Sequence, residues 1–218
     1  MDTSKLASQL FYKGAEAELS SAMINSYSAV VKHRIAKKYR NPELDKKIRK
    51  ERTLTEAFIL HEAKKAGVRA PSIIGIDPET DTIIMTKIDG PVLREHFDEM
   101  SRKEANDVFE SLGEQVGLLH SAGILHGDLT TSNIILPQPG RPFLVDFGMA
   151  RHSVEPEDRG VDLHLLQRSL TASHTQNIES ITRHLLLGYR HGAGDKIAES
   201  TLAKTREIAR RGRYFAIR

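Results

Sequence analysis

Short apolar stretches alternate with turn residues in the first part of the chain, a pattern typical of β-strands. The stretches predicted as strands are 9–12, 17–19, 28–32, 73–77 and 82–88. Gly14 separates the first two, and the turn-rich cluster 77–81 separates the last two. A sheet built from two hairpins and their neighbouring strand is therefore expected here.

Helical patterns interrupt and then follow this sheet. Residues 42–66 are predicted as a helix that begins after Asn41, with Pro42 at the first helical position and a break near Arg52–Thr53. Ser101 and Glu104 form a capping box for a second helix. Apolar residues follow at helical spacing and should face a core: Ala105, Val108, Phe109, Leu112, Val116 and Leu119. Further helices are predicted at 161–173, 177–191 and 195–211.

This order of elements predicts an α+β protein with two lobes. Residues 1–88 would form a small β-rich lobe and residues 89–218 a mostly helical lobe, with the Asp89-Gly90-Pro91 joint between them. A ligand cleft between the lobes is expected, because interfaces of this kind often hold ligands.

The amino-acid composition indicates a soluble globular protein but does not indicate its function. The 218 residues are 39% hydrophobic and 28% charged, as in soluble globular proteins. Cysteine is absent, which excludes disulfides and thiolate metal sites and fits a reducing cytoplasm. The sequence has no apolar run of membrane-spanning length and no signal-peptide pattern at its start, so a cytoplasmic protein without membrane contact is expected.

Residues 126–148 carry the strongest chemical signal. Asp128 and Asn133 stand at the two ends of one short loop, and Asp146 follows an apolar hairpin predicted at 134–145. The hairpin would return Asp146 to the side of Asn133. This spacing suits phosphoryl transfer from a Mg²⁺-bound nucleotide, with Asp128 orienting the acceptor and with Asn133 and Asp146 binding Mg²⁺. The alternative is an ordinary buried hairpin with a polar loop.

A nucleotide site also needs a cation for the phosphates. Lys32 ends an apolar strand and is the candidate, with an ordinary surface lysine as the alternative. Glu56 on the following helix is the candidate that holds Lys32 in place, and Glu51 and Glu62 compete for that role.

Other positions suggest roles that residue types alone leave open. Gly14 could let the backbone approach phosphate, or lie in an ordinary hairpin turn, and Glu16 is unexpected beside phosphates unless it faces a metal or a partner. The backbone of Thr86 and Ile88 could bind adenine, with Met85 packed behind the ring. Asp162 could brace the 126–133 loop through its N–H groups, or serve as a helix-start charge. His126 is expected to support that loop rather than to do chemistry.

These residues together resemble the protein-kinase-like superfamily. His-Gly-Asp at 126–128, in place of His-Arg-Asp, is similar to RIO-type and small-molecule kinases. Four further segments resemble the small atypical kinase subunit of the KEOPS complex, in an archaeal form, and the resemblance spans almost the whole chain: Lys13-Gly14-Ala15-Glu16-Ala17, Lys38 to Asp45, Arg52 to Ala57, and Arg210 to Arg213.

The resemblance implies a minimal two-lobed kinase fold that uses ATP and Mg²⁺. It implies an ATPase with weak Ser/Thr kinase or autophosphorylating activity. The implied partners are the KEOPS catalytic subunit that makes threonylcarbamoyladenosine in tRNA, the other KEOPS subunits, and tRNA itself.

Two departures from ordinary protein kinases argue against routine peptide phosphorylation. Gly127 replaces the arginine that would pair with a phosphorylated activation loop. Only thirteen residues separate Gly148 from Asp162, which is too few for a long regulated loop. Water, an internal Ser or Thr, or a group presented by a partner is therefore favoured as the acceptor.

The C-terminal end is basic and carries two aromatic residues. Arg210, Arg211 and Arg213 precede Tyr214 and Phe215, a combination that suits contact with RNA, including tRNA. The same tail could instead bind the protein's own cleft or a partner. Three other functions stay open for the chain as a whole: a stand-alone Ser/Thr kinase, a small-molecule kinase and a non-catalytic tRNA-binding scaffold.

Overall fold

The computed structural model describes residues 8–138, 140–173 and 177–215, apart from the side chains of 8, 173 and 212–215. These residues form two compact units. One unit ends at Ile88 and the other begins at Asp89, where the sequence places the lobe boundary, but the segment Glu62–Ala70 belongs to the second unit. The sequence-based division at 1–88 put this segment in the first lobe.

Hydrogen bonds of Arg69 explain why that segment belongs to the helical unit. The Arg69 backbone N–H donates to Gln115 Oε1 at 2.6 Å, and the Arg69 carbonyl accepts from Leu144 N at 2.9 Å. The Arg69 guanidinium also donates to Ser111 Oγ at 2.6 Å. A sequence pattern could not show these contacts, because the partners lie more than forty residues away along the chain.

The first unit contains a five-stranded antiparallel sheet in the described part of the chain. Its strands are β1 (Ser8–Lys13), β2 (Ala17–Ile24), β3 (Tyr27–Arg34), β4 (Ile73–Asp77) and β5 (Thr82–Thr86), in the order β1-β2-β3-β5-β4. Asn25 and Ser26 join β2 to β3 with positive φ angles of 46° and 71°. A two-residue turn of this hand matches the twist of the strands that it joins.

Helix α1 (Pro42–Lys65) follows β3 in the chain. The Asn41 side chain accepts from the backbone N–H groups of Glu43 and Leu44 at 3.0 and 3.2 Å, which satisfies donors at the helix start. The expected break near Arg52–Thr53 is wrong. Thr53 is fully buried, and its hydroxyl donates to the Arg49 carbonyl at 2.8 Å, so the helix continues without interruption.

The second unit is mostly helical. Its helices are α2 (Leu93–His96), α3 (Arg102–Ser121), α4 (Pro156–Ser173), α5 (Ile178–Ala193) and α6 (Asp195–Phe215). Two small antiparallel ladders pair β6 (Ile124–Leu125) with β9 (Arg151–His152), and β7 (Ile134–Ile135) with β8 (Phe143–Leu144). The expected N-cap is present, since Ser101 accepts from Glu104 N at 3.2 Å. All six apolar positions of α3 that were predicted to face the core are buried.

Helices α3 and α5 approach each other at glycines. A Cβ atom added to Gly188 would lie 1.8 Å from the Glu110 carbonyl oxygen, and one added to Gly113 would lie 2.0 Å from the Leu185 carbonyl oxygen. Real Cβ atoms do not come so close to backbone. Glycine at these positions therefore sets the distance between the two helices.

In the described residues, no helix is both long enough and apolar enough to cross a membrane.

Candidate functional site

The loop that carries Asp128 is held by a buried carboxylate. Asp162 of α4 is 3% exposed and accepts from the backbone N–H groups of His126 and Gly127 at 2.8 and 3.0 Å. It also accepts from His120 Nε2 at 3.2 Å. Burial alone would raise the pKa of Asp162, yet this pKa is lowered, because the His120 pair and the His126 N–H favour the charged form.

Asp162 is not a helix-start charge. Helix α4 begins at Pro156, so Asp162 lies in its second turn, away from the first-turn N–H groups that would favour an anion. The sequence left a brace and a helix-start charge open, and the observed contacts are those expected of a brace. The start at Pro156 rather than 161 follows the preference for proline at the first helical position, a signal that the sequence analysis missed.

Asp128 and Asn133 are joined directly. Asn133 Nδ2 donates to the Asp128 backbone carbonyl and to Asp128 Oδ2, both at 2.9 Å. The Asn133 carbonyl accepts from Val145 N at 3.0 Å, so the residue before Asp146 is paired with Asn133, as the predicted hairpin requires. With its amide nitrogen turned to Asp128, the Oδ1 atom of Asn133 is the one that suits a metal ion.

Asp146 has an unusual backbone conformation. Its φ is 61°, in the left-handed region, and its Oδ1 accepts from Gly148 N at 3.2 Å. The preceding carbonyl, of Val145, lies 3.1 Å from His126 Nε2, and the ring of buried Phe147 lies 4.8 Å from the His126 ring between centroids. Burial lowers the pKa of His126, so the neutral ring donates from Nε2 to that carbonyl. His126 thus supports the Asp146 turn.

Protein side chains alone do not complete a metal site here. In the part of the chain that the structure describes, no group of three His, Cys, Asp or Glu residues could hold a metal ion. Mg²⁺ usually keeps one or two protein carboxylates and takes its other ligands from waters and substrate phosphates. The donor set of Asn133 Oδ1 and the Asp146 carboxylate fits Mg²⁺ that arrives with a nucleotide.

The first unit brings Lys32 and Glu56 together. Lys32 Nζ lies 2.6 Å from Glu56 Oε1, and both residues are buried. Arg34 also pairs with Glu56, through Nη2 and Oε2. The competing carboxylates pair elsewhere, Glu51 with Lys47 and Glu62 with Lys65. Sequence analysis missed Arg34, although a residue two positions after Lys32 on the same strand must share its face.

The turn at Gly14 is fastened to neighbouring cations. Glu16 pairs with Arg52 of α1 and lies 3.9 Å from Lys37 Nζ, and Lys37 donates to the Ala15 carbonyl. Glu16 therefore faces cations of its own unit. Gly14 N donates to the Ala17 carbonyl at 2.9 Å, which closes the turn between β1 and β2.

Strand β5, which is predicted to lie beside adenine, already uses the backbone N–H of Thr86. Thr86 N–H donates to the Ser72 carbonyl at 2.8 Å, so Thr86 has no backbone donor to offer a ligand. The backbone of Ile88 then stays the predicted donor on this segment. Met85 is 9% exposed on the same strand.

The basic tail is partly paired with its own unit. Arg211 donates to Glu157 Oε1 of α4 at 2.8 Å, and both Arg210 and Arg211 are exposed. The side chains of Arg213, Tyr214 and Phe215 lie outside the described part of the structure.

A second set of contacts, which the sequence did not indicate, surrounds the His120–Asp162 pair. The Tyr189 hydroxyl of α5 hydrogen-bonds His120 Nδ1 at 2.9 Å. Burial raises the pKa of Tyr189 to about 12, so this hydroxyl keeps its proton. Arg159 Nε of α4 donates to Thr201 Oγ1 of α6 at 3.2 Å, and Thr201 also hydrogen-bonds Tyr189. The 126–133 loop is thus tied through Asp162 to four helices.

Comparison with known proteins defines the class first. The family model of the protein kinase domain matches residues 20–173. The Rio2 kinase from Chaetomium thermophilum, solved as an ADP/Mg²⁺-phosphoaspartate complex, superposes with a TM-score of 0.62 at 15% identity. The matched region covers 91% of this chain and 70% of that one. The chain therefore has the protein-kinase-like α+β fold and is a kinase-like phosphotransferase, as the sequence predicts.

The family follows from closer relatives. KEOPS complex subunit Bud32 of Pyrococcus abyssi is 41% identical over 212 residues, which cover 94% of this chain and 96% of that protein. The chain belongs to the Bud32 family of KEOPS subunits. A probable bifunctional tRNA threonylcarbamoyladenosine biosynthesis protein of Methanosphaera stadtmanae is 38% identical, and here the chain spans only 36% of its relative's length.

Proposed function

We propose that this chain binds Mg²⁺ and ATP, acts mainly as an ATPase, and supports threonylcarbamoyladenosine formation at position 37 of tRNA. It would do so within KEOPS, beside the threonylcarbamoyl-transferring catalytic subunit and the other subunits, in the cytoplasm. The observation that carries the proposal is the hydrogen bond between Asn133 and the Asp128 carboxylate, with Asp146 one residue beyond the Asn133–Val145 pair. Membership of the Bud32 family supports the assignment to tRNA modification.

Each proposed role follows from the chemistry of one side chain. Asp128, oriented by Asn133, would accept a hydrogen bond from the attacking water or hydroxyl and hold it in line. Asn133 Oδ1 and the Asp146 carboxylate would bind Mg²⁺, which neutralises charge on the phosphates when it is present. Lys32 would contact the α- and β-phosphates, and Glu56 would hold Lys32. Nucleotide binding would also use the backbone of Ile88, the carbonyl of Thr86, the Met85 side chain and the Gly14 turn.

The acceptor is the point at which the proposal differs from a stand-alone Ser/Thr kinase. A Cβ atom at Gly127 would lie 2.2 Å from the Met149 carbonyl oxygen, so there is no room here for the arginine that pairs with a phosphorylated activation loop in ordinary kinases. Helix α4 begins at Pro156, which leaves only 149–155 between Gly148 and that helix. These features support water, the chain itself or a partner as acceptor rather than a docked peptide.

The test is ATP turnover by the purified chain alone, with the catalytic subunit, and with that subunit plus tRNA. We expect each addition to raise the rate, and an unaltered rate after both would refute the ATPase role. Efficient phosphorylation of a protein in trans, abolished by Asp128→Ala, would instead support the stand-alone kinase. Full tRNA modification by an Asp128→Ala, Asp146→Ala double variant would support the scaffold.

A further inference from the structure

We propose that Arg34 is a positioning residue for nucleotide binding. It holds Glu56 through Oε2, so that the Lys32 ammonium, which pairs with Oε1, can donate to phosphate as well as to Glu56. The inference rests on the proposed function, since it assigns a part in the same ATP site. It concerns a contact inside the first unit that the general lysine–glutamate pair of kinases does not require.

The geometry places two cations on one carboxylate. Lys32 and Arg34 lie two residues apart on β3, so both side chains leave the same face of the sheet. Glu56 of α1 receives Lys32 Nζ on Oε1 and Arg34 Nη2 on Oε2. The three residues are 7%, 3% and 3% exposed, so solvent screens none of these interactions strongly.

Arg34 is fixed from the backbone outward. Its N–H donates to the Asp81 carbonyl at 3.1 Å, and its Cα is in register with Ala17 of β2. Its Nε is buried and has no hydrogen-bond partner among the described residues. A buried guanidinium with an unsatisfied donor is unfavourable, so the ion pair with Glu56 is the interaction that accounts for the position of this side chain.

Two consequences follow from this arrangement. Because both of its oxygens are held, Glu56 should keep its orientation when Lys32 turns toward phosphate. Arg34 also balances the charge of Glu56, which weakens the electrostatic hold of Glu56 on Lys32. An always-charged arginine suits this role, because its guanidinium stays protonated when it is buried.

The experiment compares the KM for ATP and kcat across matched variants of the full chain, assayed with partner and tRNA. For Arg34→Met we expect KM to rise about tenfold while kcat changes by less than about twofold, because nucleotide binding is lost but the groups at Asp128 are untouched. Arg34→Lys should recover part of the loss. Arg40→Met is the control, because Arg40 is a partly buried arginine of the same unit and its carboxylate partner, Asp45, still keeps Arg49. Its KM should stay within about twofold of the wild type.

A double variant separates an indirect role from direct contact. If Arg34 acts through Glu56, Arg34→Met should add nothing to Glu56→Gln, whereas a further tenfold rise in KM would show that Arg34 touches phosphate itself and overturn the inference. An unchanged KM in folded Arg34→Met, with Lys32→Met impaired, would also overturn it and leave the proposed function standing. Should Arg34→Met fail to fold, Arg34→Gln, which removes the charge and keeps a polar side chain, takes its place, and a KM equal to the wild type would overturn the inference. Absence of Mg-ATP binding by the wild type would overturn the proposed function, and this inference with it.

Discussion

Replacing Asp162 by asparagine removes the negative charge and one acceptor oxygen while keeping the size of the side chain. The two oxygens of Asp162 receive separate donors, Oδ1 from Gly127 N–H and Oδ2 from His126 N–H and His120 Nε2. An asparagine has one oxygen and one NH₂ group. Whichever way the amide turns, its NH₂ group faces at least one donor, and that donor becomes a buried unsatisfied N–H.

The magnitude follows from counting these changes. One buried backbone N–H without a partner costs about 1–3 kcal/mol, and each remaining bond loses about 1 kcal/mol when its acceptor becomes neutral. The sum is about 3–5 kcal/mol, in the range seen when one partner of a buried ion pair is removed. We therefore expect Asp162→Asn to lower the free energy of unfolding by about this amount.

Urea unfolding, followed by circular dichroism, measures the effect. Asp158→Asn is the matched control, because it makes the same change one turn earlier on α4, at a carboxylate whose side chain is 34% exposed and pairs with Arg151. Its loss should not exceed about 1 kcal/mol, since exposed pairs are screened. A loss below about 1 kcal/mol for Asp162→Asn would refute the reasoning about the brace.

The pH dependence of the free energy of unfolding is a second test of the role of Asp162. The pKa of Asp162 is lowered in the folded state, so its stabilising contribution is complete above the unfolded pKa of about 4. It is lost as the pH falls through the folded pKa. The difference in stability between wild type and Asp162→Asn should therefore be constant near neutrality and shrink in acid. A difference that grows in acid would contradict this sign.

Other predictions concern helix packing, metal binding and the tail. Gly188→Ala should destabilise the protein by about 2–3 kcal/mol in urea unfolding, despite the helix preference for alanine, because the added Cβ would lie 1.8 Å from a carbonyl oxygen. Gly75→Ala, where the nearest atom is 3.8 Å away, should be tolerated, and equal losses would contradict the clash. In titrations with a fluorescent nucleotide, Asp146→Ala should lose Mg-nucleotide affinity more severely than Asp128→Ala, and equal affinities would oppose the assigned roles. Deleting 210–218 should weaken tRNA binding in a salt-dependent way while leaving the fold intact, and unchanged binding at low salt would exclude an RNA role for the tail.

Local patterns predicted the elements and the loop motif well, because those signals are short-range. The cap at Ser101 and the hairpin that returns Val145 to Asn133 depend on residues close together in the sequence, whereas β2 was predicted only at 17–19 and extends to Ile24. The predicted break in α1 was wrong because burial of Thr53 outweighs its weak helix preference.

Contacts between distant residues could not be predicted in this way. Tyr189 lies 69 residues from His120, and nothing in its local sequence distinguishes it from any buried tyrosine. Arg34 is an intermediate case: its place on the Lys32 face follows from strand geometry, but its pairing with Glu56 depends on how α1 packs against the sheet.

The ties from Asp162 also determine how the loop exchanges its amide protons with solvent. The N–H groups of His126 and Gly127 belong to a loop, where exchange is ordinarily fast. Their acceptor, however, is fastened through His120 to Tyr189, and so to α3, α4 and α5. We expect these amides to open together with those helices. In deuterium labelling they should therefore exchange as slowly as the helical core, so that two loop protons report the global opening of the helical unit.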